Sequence, residues 1–168
     1  TRRSSDLEVY VKDVRNGRLT RLTRTPMSPK SSPSWSPDGR RIVFSSGHEG
    51  RPHLYVVDRD GGPMRRITRG GGENLSAEWG ANGLIVFTRR RGGEYHVAVL
   101  DPRTRDSRFV SPPGADYEDP SWAPDGYHIV ASRGGRGRSS LSLLDREGKS
   151  SRILLSGQGH WYMPDWSP

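Results

Sequence analysis

The sequence predicts an all-β chain built as a β-propeller of four-stranded antiparallel blades. Three observations predict it. Trp35, Trp79, Trp122 and Trp166 recur at separations of 44, 43 and 44 residues. Three of them open one phrase, Trp35-Ser36-Pro37-Asp38-Gly39, Trp79-Gly80-Ala81-Asn82-Gly83 and Trp122-Ala123-Pro124-Asp125-Gly126, and Trp166-Ser167-Pro168 begins it again. Asp13, Asp58, Asp101 and Asp145 keep the same beat, as do the triplets Arg21-Leu22-Thr23, Arg66-Ile67-Thr68, Arg108-Phe109-Val110 and Arg152-Ile153-Leu154. A period of ~40–45 residues with four strands per unit is the length of a propeller blade.

Within each unit the first strand is short and carries the Trp. A tight turn follows. In Pro37-Asp38-Gly39, Pro presets φ, Asp bonds nearby backbone and Gly takes the left-handed position. Asn82-Gly83 does the same in the second copy. The second strand is a short apolar run, Ile42-Val43-Phe44, Leu84-Ile85-Val86-Phe87 and Ile129-Val130-Ala131, as expected of a strand buried on both faces. The third strand runs into the recurring Asp: Val9–Lys12, Leu54–Val57, Val97–Leu100 and Leu141–Leu144. That Asp caps the next turn. The fourth strand is short and charged, as in Arg65-Arg66-Ile67-Thr68, which protects an outer edge from stray pairing.

This register divides one domain, 1–168, into about four blades' worth of chain: three complete blades and two partial ones. Residues 1–23 supply the last two strands of a blade. Complete blades follow at 28–68, 72–110 and 116–154, and 158–168 supplies the first strand of another. Propellers hold about 4–8 blades, and an open arc leaves apolar end faces wet. Three arrangements satisfy this: an excerpt of a longer ring, a strained four-bladed closure, or a homodimeric ring.

Composition fits a turn-dense β repeat, with 30% hydrophobic residues, 21 Gly and 13 Pro. There is no Cys, which excludes disulfides, thiolate metal sites and a Cys nucleophile. No apolar run reaches the ~18–20 residues of a membrane span, and read from Thr1 the sequence shows no signal peptide. The formal net charge of +8 is almost entirely Arg. That balance permits contact with nucleic acid or an acidic protein surface.

The phrase Pro33-Ser34-Trp35-Ser36-Pro37-Asp38-Gly39-Arg40-Arg41-Ile42-Val43-Phe44-Ser45-Ser46 resembles the WD40-like Pro-Asp-Gly propeller repeat. The succession of variants goes further. A full copy is followed by the degraded 79–83, then Tyr117-Glu118-Asp119-Pro120-Ser121-Trp122, then Met163-Pro164-Asp165-Trp166-Ser167-Pro168. This order resembles the carboxy-terminal propeller of the TolB family across the whole chain. The resemblance implies part of a six-bladed ring, a periplasmic location and a non-catalytic role in the Tol–Pal system, which supports outer-membrane integrity and cell division. It also implies docking of the peptidoglycan-associated lipoprotein Pal on one face near the channel. That family's amino-terminal α/β domain, which reaches TolA, has no counterpart in these residues.

No catalytic or cofactor signature emerges. Gly-x-Ser-x-Gly is absent. Gly148-Lys149-Ser150 lacks the leading Gly of a phosphate loop, and Gly135-Arg136-Gly137 lacks a strand–helix context. His48, His53, His96, His128 and His160 show no compact metal spacing. His53 and His96 occupy equivalent positions and read as ordinary loop-edge residues. Asn74-Leu75-Ser76 matches a glycosylation sequon. The recurrent Trp reads as packing between blades.

Propeller topology puts the second-to-third strand loops and the blade-to-blade connections on one face. The loops are basic: Arg51, Arg89-Arg90-Arg91, and Arg133, Arg136 and Arg138, with Arg2 and Arg3 at the entry. The connections carry Lys30-Ser31-Ser32, Glu73-Asn74-Leu75-Ser76, Tyr117-Glu118-Asp119 and Trp161-Tyr162-Met163. By residue-wise match they correspond to the segments that face Pal. These residues, with Arg51, Arg90 and Arg91, form the expected partner site, a polar and aromatic centre inside an arginine rim. Two other classes compete. One is the gating propeller of a prolyl-oligopeptidase-like serine peptidase, which needs a hydrolase domain. The other is a polyanion binder, which needs exposed stacking aromatics among the arginines.

Overall fold

The computed structural model describes residues 7–25, 27–135, 138–157 and 159–166. Arg2, Arg3, Arg136, Ser167 and Pro168 lie outside them, as does the side chain of Arg138. Every regular element is a strand. Strands β1 (Tyr10–Lys12) and β2 (Leu19–Arg21) form a two-stranded antiparallel sheet. Three four-stranded antiparallel sheets follow in meander order. They are β3 (Lys30–Trp35), β4 (Arg41–Ser46), β5 (His53–Asp58) and β6 (Arg65–Arg66); β7 (Asn74–Trp79), β8 (Ile85–Arg91), β9 (Glu94–Leu100) and β10 (Ser107–Phe109); and β11 (Tyr117–Trp122), β12 (His128–Gly135), β13 (Arg138–Asp145) and β14 (Ser151–Leu155).

The hairpins form as their sequences dictate. Gly39 and Gly126 sit at φ 65° and 64°, Gly83 at 82°. Asp38 Oδ1 accepts the Arg40 N–H at 3.0 Å, and Asp125 Oδ1 accepts those of Tyr127 and His128 at 2.8 and 2.9 Å. The recurrent Asp caps the outer turn through its side chain at Asp13, Asp101 and Asp145. Asp58 does so through its carbonyl, which accepts the Gly61 N–H.

The middle strands extend beyond their apolar runs. β8 continues through Arg91 and β12 through Gly135, so Arg89–Arg91 and Arg133 are strand residues and not loop residues. The pleat lets their guanidinium groups lie on neighbouring side chains. Arg89 and Arg91 cover the Phe109 ring, Arg90 covers Tyr95, and Arg133 covers Tyr117. The outer strand also keeps a different register from the Arg-based triplets. The N–H groups of Leu22, Ile67 and Val110 make the same bond, to the carbonyls of Val9, Leu54 and Val97. Val110, and not Phe109, is therefore the counterpart of Ile67. Thr23, Thr68 and Ser111 follow, each accepting a backbone N–H from the third strand.

Neighbouring sheets pack face to face. One core joins Val43, Leu54, Val56 and Ile67 to Trp79, Ile85, Phe87 and Leu100 of the next sheet. A second joins Val86, Val97, Val99 and Val110 to Trp122, Ile129 and Leu144. A third seats Val9 and Leu22 on Ile42, Phe44, Tyr55 and Val57. Trp79 and Trp122 thus rest on the sheet that precedes each of them. Trp79 and Trp122 are 7% and 5% exposed. Trp35, which faces only the short β1–β2 ribbon, is 47% exposed. At the other end β14 leaves Ile153, Leu154 and Leu155 exposed, whereas the outer-strand residues Ile67 and Val110 are buried.

A first strand was expected over 158–168, but the described residues 159–166 carry none. They are held instead by side-chain bonds to the third sheet: the Trp161 N–H donates to Ser139 Oγ, and Ser121 Oγ donates to Asp165 Oδ1 at 3.1 Å.

Candidate functional site

The innermost strands β3, β7 and β11 each break register once, between Ser31 and Ser34, Leu75 and Glu78, and Glu118 and Ser121. At each bulge a non-glycine residue adopts a left-handed backbone: Ser32 at φ 50°, Ser76 at 48°, Asp119 at 48°. Met163, three residues before Trp166 as they are before theirs, has φ 47°. Left-handed non-glycine residues persist only where their surroundings over-determine them, and they gather at binding sites. The three bulges, the left-handed Met163 and the residues after them line one cleft of about 500 Å³, from Ser32-Pro33-Ser34 to Met163-Pro164-Asp165.

Side chains one residue before each Trp tie the inner strands together. Ser34 Oγ accepts the Trp79 N–H at 2.9 Å, and Glu78 accepts that of Trp122 at 3.3 and 3.4 Å. Ser76 Oγ donates to Asp119 Oδ1 at 2.9 Å. Burial pushes the Glu78 carboxyl above its usual range; bonds from Ser121 and the Trp122 N–H oppose this, and the Asp165 charge adds to it. Burial also raises Glu118, helped by Asp119 and Asp116. Glu78, Asp119 and Asp165 make the cleft wall acidic, and Glu78 is partly desolvated. The sequence reading missed Ser34, Glu78, Ser121 and Asp165. Their signal was their constant offset, one residue before each recurrent Trp.

The predicted site residues separate into three tiers. Lys30, Asn74 and Tyr117 are buried and support the face from beneath. Lys30 Nζ donates to the Thr25 carbonyl at 2.6 Å and pairs with Glu8 at 3.1 Å. Asn74 Nδ2 donates to the Gly72 carbonyl and to His53 Nδ1, both at 3.0 Å. Asn74, within the sequon, is fully buried in the folded chain. The second tier is presented: Ser31, Ser32, Glu118, Trp161, Tyr162 and Met163 are exposed, and Leu75, Ser76 and Asp119 half-buried. The third tier is the rim. Arg51, Arg90 and Arg91 are exposed around Glu73, which accepts the Tyr95 hydroxyl at 3.0 Å.

His53 and His96 are buried side chains of the sheets. His53 Nδ1 lies 3.3 Å from Thr68 Oγ1, and His96 Nδ1 lies 3.5 Å from Ser111 Oγ. Burial, with the Arg66 charge, lowers the His53 pKa. Among the described residues, no three His, Asp or Glu side chains converge on a point that could hold a metal.

Antiparallel four-strand sheets, stacked face to face with their bulged first strands along one cleft, define the arc of a β-propeller. The sequence signature of the TolB beta propeller domain matches residues 1–168, and the chain belongs to that family. It is 30% identical over 141 residues to the Tol-Pal system protein TolB of Francisella tularensis subsp. mediasiatica, covering 82% of this chain and 32% of that protein. The crystal structure of TolB from Acinetobacter baumannii superposes with a TM-score of 0.81 at 28% identity, covering 96% of this chain and 40% of that one. A puromycin-hydrolyzing peptidase of Mycobacterium tuberculosis superposes with a TM-score of 0.74 at 19% identity, over 89% of this chain and 24% of the peptidase, and shares the fold. The chain spans about a third of the length of the curated relatives it matches.

Proposed function

We propose that this chain is an arc of a TolB-like propeller acting as a non-catalytic docking surface of the Tol–Pal system in the periplasm. Its partner is the lipoprotein Pal, and its role is support of outer-membrane integrity and division. The blades at 28–68, 72–110 and 116–154 form the arc, flanked by the two outer strands within 1–23 and by 158–168. The carrying observation is the row of left-handed residues Ser32, Ser76, Asp119 and Met163, the first three at strand bulges, which line a common cleft. Met163 lines the cleft and is exposed, as are Glu118, Trp161 and Tyr162, which neighbour the lining residues Asp119 and Met163 in sequence. Aromatic and Arg anchors beside desolvated polar groups are what protein interfaces use. The mycobacterial peptidase shares only the fold, and no activity follows from it.

The test is titration of Pal from the source organism into the full chain by calorimetry. A Glu118→Ala/Tyr162→Ala/Met163→Ala variant, altered only at exposed positions, should bind at least ~10-fold more weakly if these residues include an anchor. Unchanged affinity, with an unchanged melting temperature, would remove this placement of the partner.

A further inference from the structure

A second cleft, of about 520 Å³, opens between the first and second complete sheets. Its wall contains Arg51 from the β4–β5 loop, and Arg90 and Arg91 from the end of β8. The rest is glycine backbone, Gly71 and Gly72 before β7 and Gly92 and Gly93 in the β8–β9 turn, together with Glu73. Glycine is required at position 72. Its φ is 99°, and a Cβ there would lie 2.5 Å from the Arg90 carbonyl oxygen. The small floor lets a ligand approach main chain and guanidinium groups together.

The charge balance is one-sided. Among the described residues, the one ion pair in this wall joins Arg90 Nη1 to Glu73 Oε1 at 3.5 Å, leaving Arg51 and Arg91 without a carboxylate partner. Glu73 is already engaged, through its other oxygen, by the Tyr95 hydroxyl at 3.0 Å. Arg90, over Tyr95, is thus held by Glu73, while Arg91, on the opposite face of the strand over Phe109, and Arg51 remain without a carboxylate. Planar guanidinium forks match carboxylates in bidentate pairs.

We propose that this cleft is a binding site for the carboxylates of an acidic, extended peptide segment. The proposal deepens the docking reading above by naming the chemistry of the partner segment. Arg51 and Arg91 donate to adjacent carboxylate groups, while Arg90 stays paired with Glu73. Single-stranded nucleic acid needs an aromatic face on which bases stack. Here the Tyr95 ring is covered by the Arg90 guanidinium, 5.5 Å from its centroid, and its hydroxyl is bound to Glu73. Phe109 lies beneath Arg89 and Arg91.

The experiment titrates an acetylated, amidated tetraglutamate peptide into the full chain, with tetraglutamine and oligothymidylate as parallel probes. Arg51→Ala/Arg91→Ala is compared with Arg40→Ala/Arg59→Ala, which removes equal charge from exposed hairpin positions on the opposite face. The site predicts tetraglutamate binding that is lost with tetraglutamine. It also predicts at least ~10-fold weakening in Arg51→Ala/Arg91→Ala and less than ~2-fold change in the control, with binding falling as salt rises. Equal weakening in both variants would reduce the effect to net charge and overturn the site. Tighter binding of oligothymidylate than of tetraglutamate would overturn it in favour of nucleic acid. If Pal docks and tetraglutamate does not bind, the acidic-peptide site fails while the docking reading stands. If tetraglutamate binds as described and Pal does not, the site stands and the docking reading fails.

Discussion

Repairing the degraded repeat phrase should weaken the protein. Position 80 is Gly where its counterparts are Ser36 and Ala123. On repeat consensus alone, Gly80→Ala looks favourable, since removing backbone freedom from the unfolded chain contributes about 0.4–1 kcal/mol. The packing says otherwise. A Cβ at position 80 would stand 2.8 Å from Trp122 Cδ1 and 2.9 Å from Nε1. Ordinary carbon contacts begin near ~3.5 Å, so the indole would have to retreat by roughly 0.7 Å. It has little room, because Trp122 is buried among Val86, Val99 and Ile129. Overpacking of this kind costs about 1–3 kcal/mol, leaving a net loss of roughly 0–2.6 kcal/mol, centred near ~1.3 kcal/mol, after the entropic gain. For a chain of this size that is about 2–4 °C of melting temperature per kcal/mol. Urea titration of wild type, Gly80→Ala, Trp122→Phe and the double variant measures the coupling, because the smaller ring should relieve part of the clash. Equal or greater stability of Gly80→Ala would refute the steric account of this seam.

Other expectations follow from the same contacts. Asn82→Asp also restores consensus, yet it removes the Nδ2 donor that reaches the Gly126 carbonyl at 2.6 Å and sets a carboxylate against that oxygen; a loss of about 1–3 kcal/mol in urea is expected. Lys30→Ala leaves Glu8 buried with Arg21, Thr23 and the Thr25 N–H as remaining partners, at a cost of about 1.5–3 kcal/mol by the same measurement. Burial pushes Glu8 up, but its bonds to Thr23, Lys30 and Arg21 outweigh this and hold its pKa below the usual glutamate range. Its contribution is therefore present above the unfolded glutamate value and lost as pH falls through the folded one; melting between pH 7 and 3 should show this loss shrink in Lys30→Ala. Glu78 has the opposite sign, with a raised folded pKa and a penalty present at neutral pH that fades as pH falls through that value. Glu78→Gln still accepts the Trp122 N–H, so it should melt no lower than wild type at pH 7, with the difference vanishing under acid.

The repeat made the sheets and hairpins legible, because each Trp, Pro-Asp-Gly turn and apolar run has a local physical cause. The outer strand was less so. Arg66 and Arg108 look equivalent in sequence, yet ladder bonds from Ile67 and Val110 set the register. Strand length was also obscured, because Arg89–Arg91 reads as a loop until Phe109 and Tyr95 are seen beneath the guanidinium groups. In the candidate site, periodicity located the connecting segments but could not tell a buried Asn74 from an exposed Glu118. That distinction depends on His53 and Gly72, which meet Asn74 only after folding. Ser34 and Glu78 escaped notice because they bond to the following sheet, a relation between copies that no single copy displays.

Because the indoles of Trp79 and Trp122 lie on the sheet before them, the arc has a direction. Trimming sheets from the carboxy-terminal end would leave Trp79 on its support, whereas removing the sheet of β3–β6 would strip that support and leave its ring as wet as that of Trp35. A workable cut therefore falls after an outer strand and takes the later repeats, and intrinsic fluorescence would report which end had been shortened.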